Sequence, residues 1–286
     1  MNYLKYYVAF MFSCYLCLNS CDVIDEPFKD DMNPRDTTSI VQGDTIIQTE
    51  RAVVIEDFTG HRCKNCPKAS KAIRELDSLF GTKVIPLAIH AGPSNFTGVN
   101  NDYPIDFTTE DGDDIATHFG IFTMPMGLVQ RLDYPNSHQK TYSAWSGLTF
   151  LELARSPQAL FSLYTKYDSL SRVAVLNYSV ELNSIQSNPL WIAVYLKESE
   201  IIAPQLMPNN SRNETYVHEN VFRSAPLGPL GILISQNGGE GGQVFSGSVT
   251  SNLDPLWNAK ECEWVIILYD ESNYQVIQPG STLVYP

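Results

Sequence analysis

The residues with the clearest capacity for chemistry are Cys63-Lys64-Asn65-Cys66, two thiols separated by two residues. A strand-like run, Arg51 to Phe58, comes before them. Lys64 to Phe80 follows, with Ala69, Ile73, Leu76 and Phe80 at the three-and-four spacing of an amphipathic helix. This order predicts Cys63 at a helix N-terminus, where free N–H groups and the helix dipole favour a thiolate. His61, Arg62 and Lys64 add positive charge around it. A thiolate at Cys63 can attack a substrate disulfide, and Cys66 can then resolve the mixed disulfide. Two alternatives stand beside this one. A lone Cys-x-x-Cys can be a stable disulfide with no turnover. It can also be half of a zinc site, with His61 and His90 completing the set, although structural zinc usually takes four ligands, often from two such pairs. No metal and no cofactor is expected.

The elements around the pair resemble those of thioredoxins. Asp57 lies six residues before Cys63, on the strand that feeds the motif. The resemblance implies a buried acid there that relays a proton to Cys66, with a pKa raised by burial. Strand alternation sends neighbouring Glu56 to the opposite face. Gly120-Ile-Phe-Thr-Met-Pro125, ahead of a strand at Leu128 to Leu132, resembles the thioredoxin cis-proline segment. It implies that Met124 and Pro125, with His61 and Arg62, shape the groove for an extended substrate. Arg62 replaces the usual tryptophan, and Ala91 to Asp111 reads as a long inserted loop. Both departures point to a specialised or lost substrate surface.

The N-terminus predicts export. Lys5 and the uncharged apolar run Tyr6 to Leu18 lead into Leu18-Asn19-Ser20-Cys21, which resembles a bacterial lipobox. The run falls short of the roughly 20 apolar residues of a spanning helix. Residues 1–20 are therefore expected to be a signal peptide, with Cys21 acylated. Cys14 and Cys17 leave with that segment, so Cys63, Cys66 and Cys262 remain. Residues 21–43, acidic and without periodicity, read as a flexible tether.

Residues 44–156 are expected to form a thioredoxin-like α/β domain. It would contain a helix from Asp113 to Phe119 and another from Tyr142 to Arg155, whose apolar side is Trp145, Leu148, Leu151 and Leu153. Past Ser156-Pro157 helical periodicity stops. Short alternating strands between Gly and Pro clusters predict an all-β sandwich over 157–286. Cys262 reads as a buried strand thiol. A net charge of −13 with no basic run argues against nucleic-acid binding, because phosphate contacts need clustered Lys and Arg.

Glu56-Asp-Phe-Thr-Gly-His-Arg-Cys-Lys-Asn-Cys-Pro67, Ile89-His-Ala-Gly92, Met124-Pro-Met-Gly127 and Tyr216-Val-His-Glu-Asn-Val-Phe-Arg223 together resemble a known family. This is the family of outer-membrane lipoproteins of Bacteroidetes-type bacteria named after a 28-kilodalton outer-membrane protein. The resemblance implies an N-terminal thioredoxin-like domain, a C-terminal all-β immunoglobulin-like sandwich, and a lipid-anchored place in the outer membrane or periplasm of a Gram-negative bacterium. Two functions stay open: thiol–disulfide exchange with protein thiols or disulfides, and non-catalytic adhesion or assembly with surface-binding partners. Tyr216, His218 and Arg223 read as strand packing. Asp36-Thr-Thr38, Asp44-Thr-Ile46 and Asp168-Ser-Leu170 resemble the O-glycosylation tripeptide of such bacteria.

Overall fold

Apolar runs and helical stripes fix the first half of the fold. The computed structural model describes residues 39–285, which belong to one compact unit. The expected signal peptide, the acylated Cys21 and the tether up to residue 38 lie outside the described residues. Two short strands open the unit, β1 (Ile40–Gln42) and β2 (Ile46–Gln48). Then comes β3 (Val53–Thr59), every residue of which is buried. Helix α1 (Cys66–Phe80) crosses to β4 (Val84–His90), which lies parallel to β3 in the register Val53↔Val84 to Thr59↔His90. The inserted segment carries a one-turn helix α2 (Ser94–Thr97), and α3 (Glu110–His118) follows. Thr109 caps α3 by accepting from the Gly112 amide. β5 (Met126–Val129) runs antiparallel to β3. It is shorter than expected, because Gln130 and Arg131 both take positive φ and turn the chain away.

Helix α4 (Tyr142–Leu153) packs with α1 on one face of β3 and β4, around Val53, Ile55, Ile73, Leu76 and Trp145. Its buried face differs from the expected one. Leu151 is 64% exposed, while Thr149 and Glu152 turn inward. Glu152 does so because it holds the buried Arg51 guanidinium at 2.7 Å, a charge that cannot be left alone in the interior. Close approach also dictates Gly127, where a Cβ would lie 2.4 Å from the Trp145 ring. Gly127→Ala is expected to cost about 1–3 kcal/mol through overpacking. The check is the urea midpoint, and an unchanged midpoint would mean the indole is free to shift.

The second half is strand after strand. β6 (Ala159–Asp168), β7 (Val173–Leu182) and β13 (Val244–Asn252) pair antiparallel into one sheet. β8 (Leu190–Glu198), β14 (Cys262–Asp270) and β15 (Val276–Leu283) form part of another. Alternation divides β8 between two cores. Ile192, Val194 and Leu196 face Phe161, Leu176 and Val180 of the first sheet. Ala193 and Tyr195 join Phe58, Leu87 and Phe119 on the other side. The chain is thus mostly β-sheet with some helices, as a mixed α/β part plus a β-sandwich requires.

Two corrections concern organisation. β1 and β2, expected in the tether and the first domain, pair with β6 as Ile40↔Asp168 and Ile46↔Leu163. They complete the edge of the sandwich sheet. The expected boundary near Ser156 does fall between α4 and β6, but the sheet continues past it. β11 (Val221–Ser224) joins β4 through Val221↔Ala88 and pairs on its other edge with β8. One eight-stranded sheet, with β12 (Ile232–Ser235) attached to β8, therefore spans both parts. A separate two-stranded hairpin remains, β9 (Ile201–Leu206) with β10 (Arg212–His218). Among the described residues no helix is long and apolar enough to cross a membrane. Thr45 and Ser169, within two of the three tripeptides, are exposed.

Candidate functional site

The turn after β3 carries the cysteines. The Cys63 amide donates to the Gly60 carbonyl at 3.0 Å, and the Cys66 amide to the Cys63 carbonyl at 3.1 Å. Helix α1 begins at Cys66, with Asn65 as its N-cap and Pro67 in its first turn. Cys63 therefore lies in the turn ahead of the helix, and Cys66 opens the helix, which corrects the expected placement. The two sulfurs are joined in a disulfide. A catalytic sulfur would be partly exposed, whereas a purely structural one would not. Cys63 is 2% exposed and Cys66 1%.

Two elements cover the motif. From the inserted segment, the Phe96 carbonyl accepts from the Arg62 amide at 2.9 Å. A Cβ at Gly60 would lie 2.4 Å from that same oxygen, so only glycine fits. The Gly98 carbonyl accepts from Arg62 Nη1 at 3.1 Å and lies 3.2 Å from His61 Nε2. His61 is 1% exposed and stacks on Tyr103 with ring centroids 5.4 Å apart. It is an interior residue here and does not line an open groove, contrary to expectation. From the hairpin, the Leu206 amide donates to the His61 carbonyl at 2.8 Å. Gln205 Nε2 donates to the carbonyls of Cys63 (3.2 Å) and Gly60 (3.4 Å).

Asp57 is 1% exposed, and its Oδ1 has no partner among the described residues. Burial alone pushes its carboxyl up to about 8. Glu56, one position away, faces the other side as alternation requires and is held by Arg131 Nε at 2.9 Å and Nη2 at 2.6 Å. The Met124–Pro125 peptide is cis, and both residues are half-buried. The pairing Phe58↔Met126 puts Pro125 beside the end of β3, next to the turn that leads to the cysteines.

A cavity of about 360 Å³ opens between α1 and the hairpin, at the carboxyl ends of β3 and β4. Asp57, Thr59, His90, Gln205, Tyr216 and His218 line it. Phe107 from the inserted segment packs 4.8 Å from both the His90 and His218 rings, and His61 sits 5.9 Å from it. Burial pushes His218 down to about 4. His90 is held well below the usual histidine range, first by burial and then by the charges of His218, His61 and Arg223. His218, expected as strand packing, thus shares the Asp57 cavity. The segment Tyr216 to Arg223 drew notice only through its family resemblance, and Gln205 had no signal. Arg223 bonds Glu198 at 2.7 Å. Cys262 is a buried free thiol, pushed up to about 12 by burial and by Glu198. Among the described residues no group of His, Cys, Asp and Glu is arranged to hold a metal ion.

No family model and no curated protein matches the chain. Among solved structures, it is similar to a protein of Agrobacterium tumefaciens at 12% identity, covering 83% of this chain and 95% of that one, with a TM-score of 0.47. A second is a domain of the outer membrane lipoprotein Omp28 from Porphyromonas gingivalis, at 14% identity over 45% of this chain and 89% of that one, TM-score 0.32. A third is a β-glucosidase from Thermotoga neapolitana, at 13% identity over 43% of this chain and 15% of that one, TM-score 0.21.

Proposed function

We propose that this chain is a lipid-anchored envelope protein whose thioredoxin-like part performs thiol–disulfide exchange at Cys63–Cys66. An immunoglobulin-like sandwich follows it in the chain. The observation that carries the exchange reading is Asp57, a buried carboxyl whose Oδ1 has no partner among the described residues, held up to about 8 on the strand that feeds the disulfide. A group with that pKa is half protonated near pH 8 and can both give and take a proton there. In the exchange, a substrate thiolate attacks Cys63 Sγ and the Cys63–Cys66 bond breaks. Cys66 leaves as a thiolate and takes a proton, for which Asp57 is the source. A second substrate thiolate then attacks the substrate-derived sulfur of the mixed disulfide, releasing Cys63 as a thiolate together with the oxidised substrate. Reduced chain reacting with a substrate disulfide runs the same steps backwards. The order β3–α1–β4, the antiparallel β5 and the cis Met124–Pro125 peptide support the thioredoxin-like reading. The envelope address rests on the lipobox-like Leu18 to Cys21.

One observation favours a second reading. Cys63 is 2% exposed, as suits a structural disulfide in a surface protein for adhesion or assembly. Redox titration of the chain lacking residues 1–21 in glutathione and dithiothreitol buffers, read by thiol labelling, separates the two. Exchange predicts a reversible couple at about −270 to −180 mV. A pair that stays oxidised below about −300 mV is structural and leaves the binding reading.

A further inference from the structure

We propose that the β9–β10 hairpin is an autoinhibitory lid over the Cys63–Cys66 disulfide, latched by Gln205, and that the disulfide reacts only when this lid swings away. The inference rests on the exchange reading and adds its control. Three independent features of the fold support it.

The hairpin is the only two-stranded sheet among the described residues, with no ladder to either larger sheet. Such a hairpin has little stability of its own. Its apolar anchor is the smallest of the four core clusters, the buried residues Phe107, Ala203 and Val221. Segments with few buried apolar contacts open locally before the whole molecule unfolds.

Both ends of the hairpin are built as hinges. β8 ends at Glu198 and β9 starts at Ile201, with Glu200 between them at φ 59°. β10 ends at His218 and β11 starts at Val221, with Asn220 between them at φ 57°. Left-handed backbone is costly for a glutamate and is a place where a chain can release strain by moving. The strands outside the hinges, β8 and β11, are tied to each other as Val221↔Glu198. Rotation at the two hinges would leave that sheet intact.

The contacts between the hairpin and the motif are few and directional. Gln205 reaches the Cys63 and Gly60 carbonyls, and the Leu206 amide reaches the His61 carbonyl. Near the hairpin tip Arg212 pairs with Asp102 and lies over the Tyr103 ring of the inserted segment. Gln205 is the only hairpin side chain bonded to the Cys63 backbone among the described residues.

The test is the rate at which tris(carboxyethyl)phosphine reduces the disulfide in the chain lacking residues 1–21. The phosphine attacks one sulfur, the S–S bond breaks, water supplies the oxygen of the phosphine oxide, and two thiols form. Gln205→Ala removes the latch and is expected to speed reduction about tenfold while lowering the thermal midpoint by only about 2–6 °C, the scale of one or two lost hydrogen bonds. Equal rates for the wild type and Gln205→Ala would overturn the lid. If the midpoint falls further than that, hydrogen exchange of the wild type decides. Amides of 201–218 exchanging well ahead of β8 and β14 support the lid, and exchange together with β8 rejects it. Rate reports the lid, whereas the equilibrium potential reports the exchange reading. A structural potential would therefore sink the latter and leave the rate ratio standing as evidence on access.

Discussion

Arg131→Met is expected to destabilise the folded chain by about 3–5 kcal/mol, the usual result of stripping one partner from a buried ion pair. Both side chains of the Arg131–Glu56 pair are 0% exposed. The guanidinium makes two bonds to Glu56 and one to the Tyr195 hydroxyl at 3.1 Å. It lies between the rings of Phe119 and Tyr269, 4.9 and 5.2 Å from their centroids. Each contact comes from a different element: Glu56 from β3, Phe119 from the end of α3, Tyr195 from β8 and Tyr269 from β14. Arg131 therefore ties the α/β part to the sandwich. Methionine fills much of the volume but leaves a carboxylate in an apolar interior with no counter-charge. Adding Glu56→Gln to Arg131→Met should recover a large part of the loss, because the stranded charge is gone. Urea unfolding of the single and double variants measures both. A loss under about 1 kcal/mol for Arg131→Met would refute the account, as would a double variant no better than the single one.

Locally coded elements were legible in the sequence, and those assembled over long separations were not. Apolar runs gave β3 and β4, and the spacing of Ala69, Ile73 and Leu76 gave α1. The start of α1 was missed by two residues, although Pro67 marks it, since proline belongs in the first turn. Alternation gave the opposed faces of Glu56 and Asp57, and Asp57 is 1% exposed. Nothing local marks β1 and β2 as edge strands of the sandwich, because their partners on β6 lie more than a hundred residues away. The same holds for Gln205 over Cys63 and for the bridge Val221↔Ala88. Leu151 shows a different limit. Periodicity marks a stripe but cannot say that a distant Arg51 will draw Glu152 inward and roll the helix. The cysteine pair at the end of β3 was thus readable and its accessibility was not, because part of the cover, the Gln205 and Leu206 contacts, comes from strands folded back from the second half.

Asp57→Asn is expected to stabilise the protein at neutral pH while slowing exchange. The folded carboxyl is pushed up to about 8 by burial, against about 3.9 in the unfolded chain. Between those values the unfolded state has lost the proton and the folded state keeps it, so rising pH favours unfolding by about 1.4 kcal/mol per unit. The penalty is absent below pH 4, grows to pH 8 and is constant above. Asparagine fits the same space and cannot ionise. It should raise stability at pH 7 by about 3–4 kcal/mol and leave it nearly unchanged at pH 4. The exchange rate should fall about a hundredfold or more and lose its inflection near pH 8, the loss typical of a missing general acid–base group. Chemical denaturation at both pH values and a pH profile of turnover with a dithiol substrate give the two readouts. An equal gain at pH 4 and pH 7 would mean that asparagine merely packs better and that the aspartate is not held protonated. A gain confined to neutral pH, with no change in the exchange profile, would leave a buried acid that costs stability and serves no reaction. That result would move the disulfide to the structural side.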